Sequence, residues 1–191
     1  MRDLFHFIKN VTPISEESWK SIEKISEITE APKKTILTSA GDFPKFIYFL
    51  SSGTARGYVT NTNGTEYNKA LFTEKMFFGA LGALIKKTTT QVSYQTLSKS
   101  KLIKIDFVKF LELVESNTEI NKFYIKILET IFLRLETRDL EMVTLNATQR
   151  YINLRERIPT IDKLFSQYNI ASNLGITPIQ LSRIRKTLPK E

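Results

Sequence analysis

Between residues 14 and 27 apolar side chains return at helical spacing, with Trp19, Ile22 and Ile25 on one face. Ser15 stands where an N-cap is needed, and Glu16 and Glu17 follow at the positive end of the helix dipole. From Pro32 to about Ile105 the pattern changes to short β-rich runs separated by turn residues. Runs rich in β-branched and aromatic residues at 35–37, 46–50, 55–60, 67–72, 92–96 and 102–105 predict strands. Turn residues separate them: Ala40-Gly41-Asp42, Ser52-Gly53 and Lys99-Ser100. Asn63-Gly64 predicts a two-residue hairpin turn, because both residue types tolerate positive φ. Strands this short and this evenly punctuated predict a small antiparallel barrel or sandwich.

The pattern then becomes helical. Asp106 caps a short helix from Phe107 to about Glu115, and residues 116–118 break it. Residues 118–145 contain neither Gly nor Pro, and a helix of that length spans roughly 42 Å. Ile120, Tyr124, Ile127, Ile131 and Leu135 follow one another at spacings of four, three, four and four. Phe123, Ile125, Leu128, Phe132 and Leu133 make the same helix apolar on further faces, so it must be covered on more than one side. One side is expected to rest on the β-domain and another, the stripe from Ile120 to Leu135, on a second copy of the chain. Residues 147–158 predict another helix ending before Pro159, and 161–165 a short one.

The segment 166–188 carries the most specific signal. Ile170, Leu174, Leu181 and Ile184 are spaced to supply the contact between two crossed helices, and Ala171 is small enough to let them approach. Gly175 can take the left-handed conformation that ends the first helix, and Ile176 plugs the turn. Thr177 can cap the second helix, with Pro178 at its first position. This is the sequence form of a helix-turn-helix, whose second helix enters the major groove of double-stranded DNA. On that helix Arg183 is suited to a bidentate contact with guanine. Thr177, Ile179 and Gln180 stand near base edges or phosphates, and Ser182, Arg185 and Lys186 are placed to hold phosphates.

Charge agrees. The net charge is +8, and residues 148–191 hold eight basic against three acidic groups, an excess of five in 44 residues. The chain has no cysteine and a single histidine, His6. Disulfides, thiol catalysis and iron–sulfur clusters are thereby excluded, as is a metal site needing several imidazoles from one chain. A Ser-His-Asp triad would have to rest on His6. No Gly-rich phosphate loop is present, and Glu136, Asp139 and Glu141 read as a solvated face of the long helix, so no enzyme and no metal site is expected. No apolar run is long enough to span a membrane and residues 1–10 lack signal-peptide features, so a cytoplasmic protein is expected.

With these residues in place the chain resembles the Crp/Fnr family of bacterial transcriptional regulators. Ala40-Gly41-Asp42, the stretch 47–53 and Phe77-Phe78-Gly79-Ala80-Leu81-Gly82 stand where that family has its β-roll landmarks, and Ile170-Ala171, 174–177 and Leu181-Ser182-Arg183 match its helix-turn-helix. The resemblance implies an α+β fold of three parts. These are a cyclic-nucleotide-binding-like, jelly-roll-like β-roll at 1–117, a long dimerisation helix at 118–145 and an all-α DNA-binding domain at 146–191. It implies a homodimer on DNA, with RNA polymerase as a further partner. The effector pocket it implies is lined by Phe78, Gly79, Ala80, Leu81, Thr89, Thr90 and Gln91. In cyclic-nucleotide binders a glutamate follows the Phe-Gly turn and an arginine-serine pair takes the phosphate. Ala80 and Thr88-Thr89-Thr90-Gln91 stand at those places, so cyclic AMP binding is not expected and the effector, if any, is another small molecule. The chain ends at Glu191, so the family's β-wing is expected to be absent, and Ile179 replaces its base-reading glutamate. The residues leave a second reading open, a ligand-binding module whose C-terminal helices dock a protein partner.

Overall fold

The structure, a computed structural model, describes residues 1–188. Lys190 and Glu191, counted in the C-terminal charge, and the expected absence of a wing lie outside the described residues.

Two helices, α1 (Arg2–Val11) and α2 (Glu16–Lys24), precede the strands. The Ser15 hydroxyl caps α2 by accepting from the backbone N–H of Ser18. The helix stops short of the expected residue 27, because Ser26–Ala31 forms strand β1, antiparallel to β8 (Ser100–Asp106). Its SEITEA sequence carries little β signal. Pairing with β8 overrides local preference, helped by Lys104–Glu27 at 2.9 Å and Lys99–Glu30 at 3.3 Å. The other strands are β2 (Ile36–Thr38), β3 (Phe46–Ser52), β4 (Ala55–Thr60), β5 (Glu66–Phe72), β6 (Met76–Phe78) and β7 (Ser93–Thr96). The short helix α3 (Leu81–Lys86) follows β6.

The strands form two four-stranded sheets, ordered β1-β8-β3-β6 and β2-β7-β4-β5. Tyr48, Leu50, Phe72, Phe78, Tyr94 and Leu102 fill one core cluster. The connection from β4 to β5 is not the two-residue turn expected at Asn63-Gly64. It spans 61–65, where the Asn61 side chain accepts from the N–H groups of Asn63 and Thr65 at 3.0 and 2.9 Å. Only Gly64 is left-handed, with φ of 77°. The Asn61 side chain stands in for a turn hydrogen bond, so one positive φ suffices where a tight turn needs two.

Helix α4 (Phe107–Ser116), capped by Asp106, leads into α5 (Thr118–Thr144), capped by Asn117. Phe107, Phe110, Ile120 and Phe123 pack with Leu4, Ile8, Trp19 and Ile22 in a second core cluster. Four helices close the chain: α6 (Ala147–Arg157), α7 (Ile161–Leu164), α8 (Gln167–Leu174) and α9 (Pro178–Thr187). They surround a third core of Tyr151, Leu154, Ile161, Phe165, Ile170, Ala171, Leu174 and Leu181, joined by Leu71 of β5.

That last contact matters for function. Strand β5 is at the edge of its sheet, and an edge leaves backbone groups unpaired. Helix α8 covers it. Asn68 N–H donates to Ser172 Oγ at 2.8 Å, Asn173 Nδ2 donates to the Asn68 carbonyl at 3.3 Å, and Ser172 Oγ donates to the Glu66 carbonyl at 3.4 Å.

Candidate nucleic-acid interface and effector cavity

Helices α8 and α9 have helix-turn-helix geometry. Gly175 is left-handed at φ 70°, and a Cβ there would also meet the Met142 methyl group of α5 at 3.3 Å. Thr177 and Gln180 form a capping box. The Gln180 N–H donates to Thr177 Oγ1 at 3.2 Å, and the Thr177 N–H donates to Gln180 Oε1 at 2.9 Å. Leu181 is fully buried against α8, which fixes which face of α9 is left outside. Ile179, Arg183 and Lys186, three and four residues apart, are exposed along that face, with Gln180 beside them and Ser182 half-buried. Ile179 is 67% exposed, an unusual place for a branched aliphatic side chain.

Arg185 does not join that face, contrary to the expectation that it holds a phosphate. Its Nε donates to the Tyr151 hydroxyl at 3.1 Å and its Nη1 to Gln167 Oε1 at 3.3 Å, and it ion-pairs with Asp162. Tyr151 in turn donates to Asp162 at 2.6 Å. Arg185 is therefore a strut tying α9 to α6, α7 and α8, since it lies on the inner side of the helix, close to the buried Leu181 stripe. Only folding brings Asp162 and Tyr151 to it.

The long helix has two apolar faces, and their roles differ from the expectation. Ile120 is fully buried in the chain's own core, Tyr124 packs its ring on Phe110 at 5.8 Å between centroids, and Ile127 packs on the same cluster. These side chains, with half-buried Ile131, lie on the inner face, and of them Ile120 alone is fully buried. Of the expected stripe only Leu135 is exposed. The exposed stripe is Ile125, Phe132, Leu135 and Met142, at heptad spacing with half-buried Leu128 between the first two and Asp139 interrupting it. Phe132 is 63% exposed. Both faces are apolar, so periodicity alone could not say which one the β-roll takes. Glu141 is also no part of a solvated face. It is buried, accepts from Arg157 at 2.5 and 3.0 Å and from Asn153 at 2.9 Å, and so pins α5 to α6. Those Arg157 bonds hold its carboxyl below the usual carboxylate range.

A cavity of about 1050 Å³ lies between the β-roll, the inner face of α5 and the C-terminal helices. All seven expected pocket residues, Phe78, Gly79, Ala80, Leu81, Thr89, Thr90 and Gln91, line it. Phe72 and Phe78 stack at 4.9 Å, and Tyr94 completes an aromatic wall. The turn at 88–91 brings no cation. Thr90 is buried, and its hydroxyl is spent on Val92, donating to its carbonyl and accepting from its N–H, both at 3.0 Å. Burial pushes the Tyr94 hydroxyl up to about 12, so it stays protonated. Exposed Arg134 and half-buried Arg138 on α5 also line the cavity; sequence reading missed them, because nothing in a helical pattern distinguishes an arginine beside a cavity from one on open surface. Among the described residues no cluster of side chains suited to holding a metal ion is found, and no helix is long and apolar enough to cross a membrane.

Residues 28–117 match the family model of the cyclic nucleotide-binding domain. No curated protein matches the chain. Among solved structures it is similar to FixK2 from Bradyrhizobium japonicum, with a TM-score of 0.72 and 13% identity over 86% of this chain and 84% of that one. It is similar at 0.71 and 14% identity to a protein from Eubacterium rectale described as a Crp/Fnr-family transcriptional regulator, covering 93% and 86%. The c-di-GMP responsive global regulator CLP of Xanthomonas campestris aligns at 0.69 and 16% identity over 90% of each chain.

Proposed function

We propose that this chain, which has the fold of the Crp/Fnr regulators with a cyclic nucleotide-binding-type domain in its N-terminal part, acts as a cytoplasmic homodimeric transcriptional regulator that binds double-stranded DNA through α9. One observation carries the reading: a helix fixed by a capping box and a buried Leu181 leaves Ile179, Arg183 and Lys186 in one exposed row. Arg183 reads a base, Lys186 and Ser182 hold phosphates, and Gln180 Nε2 stays available because only its oxygen is used in the cap. Two chains meet along Ile125, Phe132 and Leu135, so that two copies of α9 address successive major grooves roughly 34 Å apart. In this reading residues 1–117 sense, 118–145 dimerise and 146–191 bind DNA, RNA polymerase is the further partner, and the protein is not an enzyme.

Cyclic AMP is not the effector. Its phosphate needs a cation at the turn 88–91, and that turn offers only threonine and glutamine side chains, one of them already engaged.

The test is selection of fragments of the source genome by the purified protein, with Arg183→Ala as control. A palindromic motif enriched by the wild type and absent with the variant supports the reading. Equal recovery of all fragments by both proteins, with no salt-sensitive complex on any duplex, overturns it and leaves docking of a protein partner as the role of these helices.

A further inference from the structure

The cavity is far more basic than an apolar effector needs. Lys69, Lys86, Arg134, Arg138, Arg150 and Arg157 line it, against the single carboxylate of Glu141. Arg157 is already neutralised by Glu141. Among the described residues neither Arg134 nor Arg138 has a carboxylate within ion-pairing distance. Arg134 Nη1 reaches only the Met76 sulfur, at 3.7 Å, and Arg138 donates to two backbone carbonyls, those of Lys69 at 2.5 Å and Asn173 at 3.5 Å. Arg150 is held by the carbonyls of Leu145 and Leu174, and its buried Nε has no partner. Arg134 is exposed and Arg138 half-buried, so both guanidinium groups are open to an anion at the mouth of the cavity.

These cations do not stand apart from the aromatic wall. Met76, against which Arg134 lies, packs on the cluster of Phe72, Phe78 and Tyr94, and Ala70, the neighbour of Lys69, packs there too. The two arginines therefore sit at the rim of an apolar slot, one helical turn apart on α5.

We propose that the cavity binds an amphipathic organic anion, an aryl or acyl carboxylate. Its charged head lies on Arg134 and Arg138 and its apolar body on Phe72, Phe78 and Tyr94. The head thus lies on the long helix and not at the turn 88–91. An arriving anion gives both guanidinium groups the charged partner that they lack among the described residues. Binding also has a direct structural consequence. Arg138 bridges β5 and α8 through the carbonyls of Lys69 and Asn173, so an anion that draws its guanidinium away weakens the seat of the helix-turn-helix on the β-roll. Only that consequence rests on the chain being a regulator; the binding itself does not.

The experiment is a fluorescence titration of the full chain with anilinonaphthalene sulfonate, an aryl anion that brightens in apolar surroundings. Decanoate and decyltrimethylammonium, of equal chain length and opposite charge, serve as competitors below their micelle concentrations. We expect saturable binding, displacement by decanoate and not by the cation, and a Kd raised about tenfold or more in Arg134→Gln/Arg138→Gln. The double lysine variant, which keeps the charge, recovers part of the affinity. Unchanged circular dichroism of the glutamine variant shows that it folds. A smaller rise in Kd, or equal displacement by the cation, overturns the proposal. DNA selection is read separately, so a regulator with an empty cavity and an anion-binding protein that ignores DNA give different results.

Discussion

The side-chain amide of Asn68 in β5 donates to both the carbonyl and the side-chain oxygen of Asn169 in α8, at 3.1 and 3.0 Å. Asn68 is almost fully buried, and its own oxygen accepts from Arg56 at 3.3 Å. Arg56 is in turn fixed by Glu66 at 2.6 Å and Gln95 at 3.0 Å, over the Tyr58 ring. A continuous polar chain thus runs from the interior of the β-roll to the first helix of the helix-turn-helix. It specifies where α8 sits, because any slip leaves buried polar groups unpaired.

Asn68→Ala is expected to loosen that seat. It removes the acceptor of one Arg56 N–H and both donors to Asn169, which weakens the docking of α8 by about 1–3 kcal/mol. Hydrogen exchange should accelerate in β5 and α8 and stay unchanged in β3 and β8. Uniform acceleration across the chain would show that Asn68 serves global stability and not docking.

Arg183→Ala and Lys186→Ala should weaken DNA binding differently. The first is expected to cost about 1–3 kcal/mol and to relax preference at one base position of each half-site. The second should weaken all duplexes alike and lower the slope of log affinity against log salt by about one for each phosphate no longer held. Electrophoretic or anisotropy titrations at several salt concentrations distinguish the two, and identical behaviour of the variants would contradict the assigned roles.

Local chemistry made the helix-turn-helix legible. Gly175, Thr177 and Pro178 each have one conformational use, and the buried partners Ile170 and Leu181 follow from spacing. The strands expected at 46–50 and 55–60 were legible as short runs of aromatic and β-branched residues closed by turn residues, and the first extends to Ser52. What stayed hidden depends on distant partners. Strand β1 exists because β8 is beside it. Arg185 turns inward because Asp162 and Tyr151 are there. The two faces of α5 are equally apolar in sequence, and only the packed β-roll shows that Ile120 faces in and Phe132 out.

Phe132→Asp is therefore expected to abolish dimerisation, whereas Ile120→Asp should unfold the N-terminal part. Phe132 is exposed in the single chain, so a carboxylate there costs little until a second chain tries to bury it. Ile120 is fully buried, so a charge there has no solvent in any state of assembly. Light scattering should give the mass of one chain for Phe132→Asp with an unchanged circular dichroism spectrum. A dimer that survives this substitution would place the interface elsewhere.

The junction of α2 and α5 should be sensitive to acid. Glu119 accepts from the Ser15 N–H at 2.8 Å and from the Ser15 hydroxyl at 2.7 Å, and the Ser15 N–H first, then the Ser18 and Ser15 hydroxyls, hold its carboxyl at about 2 against an ordinary 4.5. A depressed carboxylate stabilises the fold fully above its unfolded value and loses that contribution as pH falls through its folded value. The difference in melting temperature between wild type and Glu119→Gln should therefore be largest near neutral pH, shrink from 4.5 downward and vanish near 2. A difference independent of pH would show that the bonds do not depend on the charge of Glu119.

Arg185 supplies the sharpest contrast with Arg183, two residues away on the same helix. Arg183 is exposed, so Arg183→Ala should leave the melting temperature unchanged while it weakens DNA binding. Arg185 spans three elements through Tyr151, Asp162 and Gln167. Its removal leaves the Asp162 carboxylate and the Tyr151 hydroxyl short of a partner, at a cost of about 1–3 kcal/mol. Arg185→Lys should restore little, because a single ammonium cannot reach three acceptors in the planar spread that a guanidinium provides. The expected result is a lowered melting temperature for both Arg185 variants, with DNA affinity per folded molecule falling less than in Arg183→Ala. A variant that melts like the wild type but no longer binds DNA would return Arg185 to the phosphate-binding face.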